Sequence, residues 1–138
     1  MILTDTSILI DYLRKRPGAV AFVNTIGKAN LAINTIIAME LCQGALNKQE
    51  FTAIQKELQG FFMLPVNEPI AQLALQLSQL YALSHHIGLP DTFIVATALI
   101  YNIELRTYNV KDFRFTPRLR AGPLSSWFSA DDRQISFG

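Results

Sequence analysis

Apolar residues along this chain fall into two rhythms. Some come in short unbroken runs, and others recur every three or four positions between polar residues. Ile2-Leu3-Thr4 is a run of the first kind and reads as a strand. From Thr6 to Arg14 the apolar positions are Ile8, Leu9, Tyr12 and Leu13, which is the spacing of one helical face. Ala19 to Ile26, entered through Pro17, suits a second short helix, and Leu31-Ala32-Ile33 a second strand. Thr35 is a suitable N-cap for a helix running through Glu40 towards Gly44. Lys48 to Leu58 has a polar-faced helical pattern, and Phe62 to Val66 reads as a third strand, weakened at its end by Pro65.

The clearest element is the helix expected over Pro69 to His86. Ile70, Leu73, Ala74, Leu77, Leu80 and Tyr81 mark one face, while Gln72, Gln76 and Gln79 mark the other. Asp91 to Tyr101 is apolar nearly all round, so it reads as a buried helix. Ile103 to Thr107 is a fourth strand. Beyond it the pattern weakens, and Phe113 to Gly138 reads as loops with one short strand or turn near Leu124. Four to five strands separated by helices predict an α/β fold, with a parallel sheet covered on both faces. In such sheets ligands bind beyond the carboxyl ends of the strands. One domain is expected at this length. Residues 1–125 would form it, and residues 126–138 a tail, partly disordered.

Composition narrows the function classes. Half of the residues are hydrophobic and only 17% are charged, which suits a surface partly covered by a partner. No apolar run reaches the roughly 18 residues of a membrane span, and no secretory leader pattern opens the chain. A single cysteine, Cys42, excludes an internal disulfide and fits a reducing cytoplasm. The net charge is +1, but five basic residues against one acid lie between Arg106 and Arg120. Arg106, Lys111 and Arg114 are therefore candidates for contacting a phosphate backbone. A second basic run is Arg14-Lys15-Arg16; by charge pattern alone such runs are more often solvated faces than phosphate contacts.

Three acids stand in apolar settings. Asp5 follows Ile-Leu-Thr, Glu40 lies within Ile-Ile-Ala-Met-Glu-Leu-Cys, and Asp91 precedes Thr-Phe-Ile-Val-Ala. Asp5 and Asp91 each suit a helix N-cap, a role worth about 1 kcal/mol. Glu40 is too far into its helix to cap it, and its neighbours suggest burial, where a lone carboxylate is destabilised. A hard divalent cation shared by all three would offset that cost. Oxygen-only ligands suit Mg²⁺ or Mn²⁺, one ion or two. His85 and His86 read as favourable to a helix dipole rather than as ligands. Metal-assisted phosphoryl chemistry is the enzyme class these residues favour.

The ordered motifs Asp5-Thr6-Ser7, Thr35 with Ala38-Met39-Glu40-Leu41, Pro90-Asp91 before Ile94-Val95-Ala96, and Thr107-Tyr108-Asn109-Val110-Lys111-Asp112-Phe113 resemble those of PIN-domain ribonucleases. The likeness is to the VapC toxins of toxin–antitoxin pairs, and it spans roughly residues 1 to 125. It implies a doubly wound, mostly parallel sheet and Mg²⁺- or Mn²⁺-dependent cleavage of RNA in the cytoplasm. It also implies a homodimer, and a small antitoxin that inserts a segment into the active-site groove. Carried onto this chain, the metal-site positions are Asp5, Glu40 and Asp91, supported by Thr6, Ser7 and Thr107. Many members place an acid where this chain has Asn109, so either Asn109 or Asp112 completes the site.

Two other readings compete. A receiver-type or haloacid-type phosphoryl-transfer domain needs paired acids or Asp-x-Asp after the first strand, and Asp5-Thr6-Ser7 supplies neither. A non-catalytic dimeric binding module would leave Asp5 and Asp91 as simple caps.

Overall fold

The structure is a computed structural model and describes residues 1–108 and 119–121. Its elements are β1 (Ile2–Thr4), α1 (Thr6–Leu13), α2 (Pro17–Ile26), β2 (Leu31–Asn34), α3 (Thr35–Gln43), α4 (Lys48–Leu58), β3 (Phe62–Leu64), α5 (Glu68–His85), α6 (Leu89–Tyr101), β4 (Glu104–Thr107) and β5 (Leu119–Ala121). The strands form one sheet in the order β3-β2-β1-β4-β5, and every pairing is parallel. The order runs outward from β1 in both directions. This is the doubly wound arrangement, and β1 and β4 are therefore interior strands.

Burial follows from that position. Every residue of β1, β2 and β4 is buried, whereas Phe62 and Met63 on the outer strand β3 are exposed. Ile2, Leu3, Ile33 and Leu105 meet Ile8, Phe22, Ile37 and Ile94 from the helices in one core. Each fully buried Leu, Ile or Phe side chain contributes about 1.5–3 kcal/mol.

Local chemistry sets the helix ends. Asp5 caps α1, and its side chain accepts from the Thr6 N–H. Asn47 and Asn67 cap α4 and α5 by accepting from the N–H three residues on, those of Glu50 and Ile70. Gly27, which ends α2, has φ +89°, a conformation that residues with a Cβ rarely adopt. His86 closes α5 in the left-handed conformation, consistent with its expected place at the helix end.

The structure corrects two sequence-derived boundaries. Asn34, not Thr35, caps α3: its Oδ1 accepts from the Ile37 N–H at 2.8 Å. The Thr35 hydroxyl instead accepts from the Val66 N–H at 3.1 Å. Helix α6 begins at Leu89 with Gly88 as N-cap, so Asp91 lies inside the first turn and is not a cap. A short fifth strand, Leu119–Ala121, pairs with β4; Leu124, near which a short strand or turn was expected, lies outside the described residues. Helix α6 is also less enclosed than its composition suggested, because Leu89, Ile100 and Tyr101 are exposed. No helix among the described residues is long and apolar enough to cross a membrane.

Candidate active site at the carboxyl edge of the sheet

Asp5 sits where β1 hands over to α1, at the carboxyl edge of the sheet, and is 6% exposed. Its backbone N–H donates to the Arg106 carbonyl of neighbouring β4 at 2.9 Å, which fixes the main chain at this point. Three donors hold the carboxylate. The Thr6 N–H reaches Oδ1 at 2.7 Å, and the Thr107 and Ser7 hydroxyls reach Oδ2 at 2.6 and 3.3 Å. Burial pushes the Asp5 carboxyl above its ordinary range, and hydrogen bonds from Thr107, Thr6 and Ser7 oppose that shift only in part. No basic side chain acts on it among the described residues. The result is a buried acid that its neighbours orient but do not neutralise.

Glu40 is joined to this point through Thr6, whose hydroxyl donates to Glu40 Oε1 at 2.8 Å. Thr6 thus serves Asp5 with its backbone and Glu40 with its side chain. Glu40 is half-buried rather than enclosed, and its neighbour Met39 is exposed. It lines a groove of about 730 Å³ between α1, α3 and α4, whose apolar wall includes Ile10, Leu13, Val20, Leu41 and Ile54.

Asp91 is half-buried in the first turn of α6. That helix ends just before β4 begins, so its first turn, about 18 Å back along the axis, lies towards the carboxyl edge. Among the described residues no three His, Cys, Asp or Glu side chains are grouped closely enough to hold an ion as they stand. The structure therefore links Asp5 and Glu40 through Thr6, and places Asp91 on the helix that packs against α3.

Of the supporting residues, Thr6, Ser7 and Thr107 all contact the acids directly. Asn109, Lys111, Asp112 and Arg114 lie outside the described residues, and so does the 126–138 tail.

Arg106 is a correction. It was expected to contact a phosphate backbone, but it is 2% exposed and buried in an interior strand. Its Nε donates to Glu104 Oε1 at 3.0 Å, and its guanidinium lies 5.7 Å from the centre of the Phe22 ring. A side chain committed in this way cannot reach a phosphate. The buried contact between Asn34 and Thr97 had no signal in the sequence, because it joins residues 63 positions apart.

A family model of the PIN domain matches residues 2–118. Ribonuclease VapC10 of Mycobacterium tuberculosis is 34% identical over 125 residues, which is 87% of this chain and 91% of that protein. Ribonuclease VapC19 of the same species is 30% identical over 123 residues, covering 87% and 98%. The chain is a PIN-domain protein of the VapC family. A toxin–antitoxin complex from Klebsiella pneumoniae contains a chain with a TM-score of 0.75 and 30% identity, covering 88% of this chain and 97% of that one. The Asp5-Thr6-Ser7 corner, with Glu40 hydrogen-bonded to Thr6, thus lies at the carboxyl edge of a PIN-domain sheet.

Proposed function

We propose that this protein is the toxin of a toxin–antitoxin pair: an Mg²⁺- or Mn²⁺-dependent endoribonuclease that hydrolyses RNA phosphodiester bonds. The relatives named as VapC ribonucleases and the Klebsiella toxin–antitoxin complex support the activity and the pairing. The observation that carries the metal reading is the state of Asp5. A buried carboxylate, raised in pKa by burial and facing only neutral donors among the described residues, is an incomplete electrostatic arrangement that a hard cation completes. Asp5, Glu40 and Asp91 would hold the ion, with Asn109 or Asp112 completing the shell for one ion or two. When bound, the ion supplies the positive charge that makes a water acidic and offsets charge on the phosphate.

The chain's own groups prepare that site. Thr107 and Ser7 fix Oδ2 of Asp5, the Thr6 amide fixes Oδ1, and the Thr6 hydroxyl holds Glu40 beside them. Lys111 and Arg114 would position the RNA backbone. The groove that runs from Glu40 along α1, α3 and α4 suits an apolar segment of a small antitoxin, which would cover a functional acid while burying its own surface. Exposed Leu75, Leu80 and Leu83 on α5, with Leu89 on α6, suit pairing of two copies.

Cleavage mapping on total cellular RNA tests the proposal, run with Mg²⁺, with EDTA, and with Asp5→Asn. Discrete cuts should appear only for the wild-type protein with metal. Cutting that survives EDTA or the Asp5→Asn exchange would refute it.

A further inference from the structure

Asn34 is 0% exposed and makes two different bonds with its two amide atoms. Its Oδ1 accepts from the Ile37 N–H at 2.8 Å, capping the helix that carries Glu40. Its Nδ2 donates to the Thr97 hydroxyl of α6 at 3.1 Å. Thr97 is also 0% exposed, and its hydroxyl proton goes to the Phe93 carbonyl at 2.7 Å, leaving its oxygen free to accept from Asn34. Phe93 lies in the same helix as Asp91, two residues further along. Each polar atom of this small network thus has a defined partner in the core.

The contact is worth more than an ordinary cap would need. Asp or Ser caps a helix about as well as Asn does. Among these residues only Asn offers an acceptor to the helix and an amide donor to a neighbour, and here the neighbour is the Asp91 helix. The Thr6–Glu40 bond ties α1 to α3, and the Asn34–Thr97 bond ties α3 to α6. The three elements that carry Asp5, Glu40 and Asp91 are thereby joined in series by two side-chain hydrogen bonds.

We infer that Asn34 and Thr97 are positioning residues of the acidic site, setting the helix of Glu40 against the helix of Asp91 so that the two carboxylates approach a common ion. The inference rests on the metal-site reading above. Helices are stiff over one or two turns, so a bond between the N-cap of α3 and the middle of α6, less than two turns from Glu40 and from Asp91, fixes how the two helices present their acids. A misalignment of about 1 Å at such a site is enough to lose much of the activity.

Thr97→Val and Thr97→Ser separate positioning from packing. Valine keeps the volume and removes the hydroxyl; serine keeps the hydroxyl. Neither touches the Asn34 cap. Mn²⁺ affinity is measured by calorimetry on the protein without RNA, beside kcat and KM for RNA cleavage and the melting temperature. Thr97→Val should weaken Mn²⁺ binding and lower kcat by about tenfold or more, with KM for RNA nearly unchanged; Thr97→Ser should stay near wild type. Asn34→Ser keeps a capping oxygen but lacks the reach to Thr97, and should behave like Thr97→Val if the valine variant does not fold. Variants that bind Mn²⁺ and cleave as the wild type does would overturn the inference while leaving the metal reading intact. Equal losses in Thr97→Val and Thr97→Ser would also overturn it. A wild-type protein with no Mn²⁺ site would instead overturn the metal reading itself.

Discussion

The Thr107 hydroxyl, at the end of β4, donates a 2.6 Å hydrogen bond to Oδ2 of Asp5, at the end of β1. The bond is buried and runs between neighbouring strands. It favours the ionised form of an acid whose surroundings favour the neutral one. Thr107→Val removes the donor at nearly constant volume. The Asp5 carboxyl should then rise further, and the acid limb of the pH–rate profile should move to higher pH. The folded state should lose about 1 kcal/mol in urea melts. An acid limb that stays in place would show that Asp5 ionisation does not govern the reaction.

Asp5 itself lowers the stability of the folded chain at neutral pH. Its folded pKa lies above the unfolded value, so the folded state holds the proton more tightly. Stability contributed by the protonated form is complete below the unfolded value near 3.8, and is lost as pH rises through the raised folded value. Asp5→Asn keeps a good capping residue without the charge. In metal-free buffer at pH 7 the variant should melt at or above the wild-type temperature, and the difference should shrink towards pH 3. Added Mn²⁺ should raise the melting temperature of the wild type and not of the variant. A variant that is less stable at pH 7, with a gap that widens on acidification, would contradict this account.

Arg106 belongs to the core, and removing it should show as a folding defect. Arg106→Leu leaves Glu104 without its guanidinium partner in a buried strand. Breaking a buried pair from one side costs about 3–5 kcal/mol. The salt dependence of RNA binding should remain unchanged in whatever protein folds, whereas Lys111→Ala or Arg114→Ala should flatten it. Wild-type stability of Arg106→Leu, with a reduced salt slope, would reinstate Arg106 as a phosphate contact.

Tyr108 gives β4 a second tie to α1. Its hydroxyl donates to Asp11 Oδ2 at 3.2 Å, and burial, with the Asp11 charge beside it, pushes the phenol up to about 12. Tyr108→Phe should cost about 1 kcal/mol. Because the folded pKa is raised, that contribution is complete below the unfolded value near 10 and fades as pH approaches 12. Melting curves of the two proteins should therefore differ by a constant amount from pH 6 to 9. A difference that disappears within that range would mean that another group sets it.

The sequence alone determined the alternation of strands and helices, because periods of two and of 3.6 residues are local properties. It also located Asp5. An apolar strand followed by Asp-Thr-Ser and a helical face puts a carboxylate at a strand end in any parallel sheet. The tertiary structure decided what depends on distant partners. Thr35 and Asn34 are both competent caps by type, and Asn34 takes the role because Val66 occupies the Thr35 hydroxyl. Glu-Leu-Arg-Thr alternates as a half-exposed strand would, yet a helix covers the face that Glu104 and Arg106 share, with Phe22 of α2 against the guanidinium, so both are buried and pair with each other. The links Thr6–Glu40, Asn34–Thr97 and Thr107–Asp5 join residues far apart in the chain. Sheet order and helix packing create them, since hydrogen bonds form only between groups that the fold has already brought within about 3 Å of each other.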